Sequence, residues 1–267
     1  MRSVFFRLFG ALPGLLPALL GTVFAFLMTA AGAALVFFFR RAIGERPQRV
    51  CMGFAGGVMA AASVFSLLVP AAEQAAQQGR AAWLVVTPGF LLGAGLLMLL
   101  DTAARRACCA RASSAREGAH RRTLLFTAIT LHNIPEGMAI GLAFALAAQE
   151  GGSAMAAAAT IALGIGIQNF PEGAAISLPM RQSGMSRKRS FLLGVLSGAV
   201  EPVFGVLVVL VAAAAQAVMP LLMAFAAGAM MLVVFEEMIP EAAGGRAGVA
   251  AAVLGYVLMM ALDIALS

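Results

Sequence analysis

Residues 190–214 read SFLLGVLSGAVEPVFGVLVVLVAAA, an apolar run that follows Arg187, Lys188 and Arg189 and holds one glutamate, Glu201, near its middle. A membrane-spanning helix needs ~20 mainly apolar residues to cross ~30 Å of hydrocarbon, and this stretch meets that length. It also places an acid where lipid offers nothing to solvate it. The same pattern recurs outward in both directions. Spans are expected at roughly 12–39, 50–72, 81–101, 123–148, 153–180, 190–214, 218–240 and 248–266. Of 267 residues, 62% are apolar and 11% charged, against ~25% charged in soluble domains. The connections are too short for a soluble domain. The expected fold class is all-α: a polytopic bundle of about eight transmembrane helices.

Basic residues give the orientation. Arg40, Arg41, Arg46 and Arg49 fall between spans one and two. Arg105, Arg106, Arg111, Arg116, Arg121 and Arg122 fall between three and four, and Arg181, Arg187, Lys188 and Arg189 between five and six. With Arg246, these place 15 of the 18 Lys and Arg residues on one side. The positive-inside rule makes that side cytoplasmic and both termini external. The net charge of +6 thus reports topology, and no nucleic-acid partner is expected. The first apolar run, after Arg2 and Arg7, exceeds the ~7–15 residues of a signal-peptide core, so a retained helix is expected.

Cys51, Cys108 and Cys109 fall on or near the cytoplasmic side, where a structural disulfide is not expected. Cys108 and Cys109 with His120 have no CxxC or HxH spacing and read as incidental loop residues.

The chemistry sits in an internal repeat. Residues 132–140, HNIPEGMAI, and 168–176, QNFPEGAAI, share x-N-x-P-E-G-x-A-I and occupy consecutive, antiparallel spans. At ~1.5 Å rise per residue, His132 lies ~15 Å beyond Arg122, near the midplane. Glu172 and Glu201 lie at similar depth. Residues at i, i+3 and i+4 share a helix face, which gathers His132, Asn133 and Glu136 on span four and Gln168, Asn169 and Glu172 on span five. Pro135 and Pro171 free the carbonyls of Leu131 and Ile167, four residues earlier. An acid at a helix centre costs ~2.5–3.5 kcal/mol on insertion scales. No Lys or Arg lies inside any span to offset Glu136, Glu172 and Glu201. A bound cation or protonation must do so. One imidazole with carboxylates and carboxamides, and no thiolate, suits zinc and similar borderline divalent ions.

Together with GAVEPVFG (198–205) and FEEMIPEA (235–242), these motifs resemble the ZIP family of metal transporters, in its bacterial GufA-like branch. The resemblance covers nearly the whole chain. It implies one transporter domain over residues 1–267, not an enzyme, importing Zn²⁺ and related ions (Cd²⁺, Fe²⁺, Mn²⁺, Co²⁺) across the plasma membrane, here a bacterial inner membrane, commonly as a homodimer. It assigns His132, Glu136, Gln168 and Glu172 to a primary site. Asn133, Glu136, Asn169, Glu172 and Glu201 match an adjoining second site, where the family often has aspartate in place of Asn169. Met59 and Ser66 resemble entrance residues, and Glu236, Glu237 and Glu241 exit residues. The resemblance further implies that spans one, four, five and six move as a unit against two, three, seven and eight.

Plainer readings stand beside these. Met59 fits core packing as well as soft ligation, and Glu236 and Glu237 fit simple solvation. Glu73, Asp101 and Asp263 read as interfacial helix ends. A proton-coupled carrier of an organic solute would also use buried carboxylates. An intramembrane metallo-hydrolase would use His and Glu to activate water, but HExxH is absent and one histidine alone lies inside a span.

Overall fold

The computed structural model describes residues 14–38, 44–109, 117–150, 154–182, 184–214 and 216–266. Among them every regular element is helical, and eight helices are long and apolar enough to cross a membrane. They are α1 (Leu15–Phe37), α2 (Glu45–Gln77), α3 (Ala82–Cys109), α4 (Glu117–Glu150), α5 (Ala154–Gln182), α6 (Arg187–Ala213), α7 (Met219–Ala243) and α8 (Arg246–Leu266). Each expected span coincides with one of them. Arg40, Arg41, Arg111 and Arg116 lie outside the described residues, as do the side chains of Cys108, Cys109 and His120.

Composition and packing agree about which helices are central. The apolar stretch of α4 is the most enclosed by neighbours, whereas α3 and α8 leave most of theirs uncovered. Leu91, Leu92 and Leu99 of α3 and Val253 and Leu254 of α8 all face outward. A continuous apolar exterior of this kind suits lipid rather than water. Trp83, exposed at the first turn of α3, has the placement of an interfacial aromatic.

The most extensive helix pairings join α1 to α5, α4 to α6, α2 to α8 and α3 to α7. These pairs fall within the two helix groups that the resemblance implies. Small residues bring the pairs close. A side chain on Gly173 would run into the carbonyl oxygen of Thr29, and one on Gly32 into that of Phe170. The α1–α5 contact is thus made backbone to backbone, as in small-residue packing of membrane helices.

Three helices are irregular where a proline removes a backbone donor. In α2 the stretch Ala62–Leu68 widens to a π-helix just before Pro70, and in α7 Val234–Met238 does the same before Pro240. A π-turn absorbs the residue whose ladder bond the proline cannot make. α6 is interrupted at Ala199, between Arg187–Gly198 and Val200–Ala214, so Glu201 stands in the first turn of the second segment. α4 and α5, by contrast, run through Pro135 and Pro171 unbroken.

Asp263 departs from the expectation of an interfacial helix end. It is buried, and Ser66 Oγ donates a hydrogen bond to its Oδ1 at 2.6 Å. The cause is lateral: α8 packs along α2, turning this position inward at the bundle's end.

Candidate metal centre

The repeat delivers its polar faces to one buried seam. Asn133 and Glu136 of α4, Gln168 and Asn169 of α5 and Glu201 of α6 have no exposed surface, and Glu172 and His132 are 4% and 7% exposed. Gln168 Nε2 donates to Glu136 Oε1 at 3.1 Å, linking the two copies of the motif directly. Asn133 Nδ2 donates to the Ser197 carbonyl on α6 at 2.9 Å. Thr29 Oγ1 of α1 donates to Glu201 Oε1 at 3.2 Å. Asn169 approaches Glu201 without a hydrogen bond of good geometry.

Backbone contact sets these positions. A side chain on Gly137 would meet the carbonyl oxygen of Glu201, with the Glu201 Cα at 2.7 Å. The glycine that follows the motif glutamate in α4 therefore seats α6 against it. The break at Ala199 also puts Glu201 at a helix N-terminus, where the helix dipole favours negative charge.

Seven of the ten buried, unpartnered side-chain polar atoms among the described residues belong to this seam, and six are oxygens. The oxygens are Asn133 Oδ1, Glu136 Oε2, Gln168 Oε1, Asn169 Oδ1, Glu172 Oε1 and Glu201 Oε2. Each buried acceptor without a partner costs about 1–3 kcal/mol, and more when charged. Glu136 lies within coulombic reach of Glu172 and Glu201, and Glu172 of Glu237. Among the described residues no Lys or Arg forms an ion pair with Glu136, Glu172 or Glu201. Buried acceptor oxygens that lack donors of their own are, in chemical kind, what a cation coordinates. Among the described residues, no three His, Cys, Asp or Glu side chains are drawn into a tight cage. Carboxylates repel one another, and here amides are interleaved with them.

His132 Nδ1 stands 3.5 Å from Glu237 Oε2 in the π-turn of α7. Glu236, beside it, is exposed, and Glu241 is half-buried. Of the three residues matched to an exit route, Glu237 alone meets the seam through a described contact. Met59 is fully buried in the apolar core, and its carbonyl accepts a hydrogen bond from Ser63. Ser66 is tied to Asp263. No described contact links either of them to the seam. Two contributors went unread in the sequence. Ser197 acts through its backbone, which leaves no residue-type signal. Thr29 had one: Thr22 and Thr29 are buried polar residues two turns apart on an otherwise apolar α1.

Eight helices long and apolar enough to span a membrane, with a buried seam of acids and amides among them, define a polytopic integral membrane protein of the transporter class. The family model described as ZIP Zinc transporter matches residues 101–263. The chain is 36% identical to Zinc transporter ZIP11 of Homo sapiens, over 93% of this chain and 97% of that one. It is 36% identical to Zinc transporter GufA of Myxococcus xanthus, over 84% and 89%, and 38% identical to Zinc transporter ZIPB of Bordetella bronchiseptica, over 93% and 81%. The chain belongs to the ZIP zinc transporter family.

Proposed function

We propose that this chain is a secondary carrier that brings Zn²⁺, and with it chemically similar divalent ions, across the plasma membrane into the cytoplasm, as a single transporter domain with both termini outside. The observation that carries the reading is the set of six unpartnered buried oxygens beside His132. His132, Glu136, Gln168 and Glu172 form the primary site. Asn133, Asn169 and Glu201 extend it, with Glu136 and Glu172 shared between the two halves. An imidazole among oxygen ligands favours zinc over Mg²⁺ or Ca²⁺. The relatives named above are zinc transporters, which supports the same substrate.

The helix pairing supports alternating access. α1, α4, α5 and α6 carry every residue of the seam, and α2, α3, α7 and α8 pair among themselves. A shift of the first group against the second would expose the site first to one side and then to the other. Glu237 stands on the second group where the two meet, and from there release proceeds toward Glu241.

Uptake of ⁶⁵Zn into proteoliposomes tests the reading. Glu136→Ala and His132→Ala should each abolish uptake while the protein inserts normally. Full uptake by both variants would overturn the site.

A further inference from the structure

Away from the seam, three arginines converge. Arg46 and Arg49 in the first turns of α2 and Arg246 at the start of α8 line one half-open cavity of about 280 Å³, together with Gly245, Ala247 and Gly248. None of the residues that line it is acidic; the nearest described ion pair is Glu45, whose Oε2 accepts from Arg49 at 2.8 Å. Three guanidinium groups against one carboxylate leave the cavity strongly positive. Its floor is the start of α8, whose first amides have no intrahelical acceptor and whose dipole adds positive charge. The Arg49 guanidinium lies over Gly244, where a Cβ would come within 2.7 Å of its Nε. The missing side chain there is what lets Arg49 reach the cavity.

The setting discriminates among anions. Arg246 is the first residue of a 20-residue apolar span, so the cavity lies at headgroup level, at the edge of the hydrocarbon. Directly beyond it, Val249, Val253 and Val257 form an uncovered apolar stripe down α8, each more than 40% exposed. A soluble phosphate would use the arginines and ignore the stripe, whereas a lipid uses both. The volume is just under the ~300–1,000 Å³ of ligand clefts, which suits a headgroup with its chains left outside. Basic pockets between transmembrane helices are a recurrent site for anionic headgroups.

We propose that this cavity binds the phosphate headgroup of an anionic glycerophospholipid, with an acyl chain laid along Val249, Val253 and Val257. By pinning the ends of α2 and α8 together, the lipid would brace the second helix group. The proposal stands independently of the metal reading.

Native mass spectrometry of the purified full chain tests it, using phosphatidylglycerol and phosphatidylcholine with identical acyl chains. Phosphatidylglycerol should be retained at least about tenfold better than phosphatidylcholine. Its affinity should fall about fivefold in Arg246→Gln and about a hundredfold in the triple R46Q/R49Q/R246Q. Gly244→Val should weaken it with no change of charge, and glycerol phosphate without acyl chains should fail to displace it. Equal retention of the two lipids would overturn the proposal. So would undiminished phosphatidylglycerol binding in Arg246→Gln, whose exposed side chain makes that variant decisive if the triple fails to fold. Displacement by glycerol phosphate at equal concentration would overturn the lipid assignment in favour of a soluble phosphate.

Discussion

His132 Nδ1 of α4 and Glu237 Oε2 of α7 stand 3.5 Å apart, and the pair joins the two helix groups at the edge of the buried seam. In the proposed alternating-access cycle, a residue on one helix group that touches a proposed metal ligand on the other belongs to the step that releases the metal. Glu237→Gln keeps the shape and removes the charge. Uptake by this variant should fall severalfold, with equilibrium Zn²⁺ affinity at the seam changing about threefold or less. Calorimetry beside vesicle flux separates the two. Equal losses in both would make Glu237 a ligand of the resting site.

Asn169 bears directly on the second half of the site. Both its amide atoms are buried and unpartnered, next to Glu201. Asn169→Asp would place another carboxylate against an acid that has one hydroxyl for a partner. Without metal, the variant should be less stable than the parent, because like charges in a buried site repel. With saturating Zn²⁺ the order should reverse, because a ligand that binds the folded state stabilises it. Thermal melts with and without zinc measure this, and metal analysis should show the bound stoichiometry rising.

Gly137→Ala tests whether backbone contact sets the seam's geometry. The added carbon meets the carbonyl oxygen and Cα of Glu201, and backbone cannot yield as a flexible side chain can. Overpacking of this kind costs about 1–3 kcal/mol. The variant should melt lower, and its Zn²⁺ affinity should fall because Glu201 is pushed off α4. Gly95→Ala, where a Cβ meets nothing within 4 Å, should leave Zn²⁺ affinity unchanged and should not lower the melt.

At the proposed site, protons would compete with the metal for His132, Glu136, Glu172 and Glu201. Metal ligation requires the deprotonated forms, so binding releases protons and weakens as pH falls. Zn²⁺ affinity at pH 5.5 should be lower than at pH 7.5 by about tenfold or more. Isothermal titration in two buffers of different ionisation enthalpy counts the protons released.

Sequence alone determined the class, the eight spans and the identity of the three buried glutamates of the seam. The reason is energetic: only long apolar helices satisfy their own backbone in lipid, and a carboxylate among them is too costly to be incidental. The repeat also announced which side chains share a face, because helical periodicity is local. Three relationships are not local, and tertiary packing alone decided them. Gln168 holds Glu136 across two helices. Thr29, from a helix with no motif, supports Glu201. Asp263, which by position read as an interfacial helix end, is buried against Ser66. Each depends on how closely two backbones approach, and that distance is fixed by side chains absent or present on both partners at once. A sequence displays those partners one at a time.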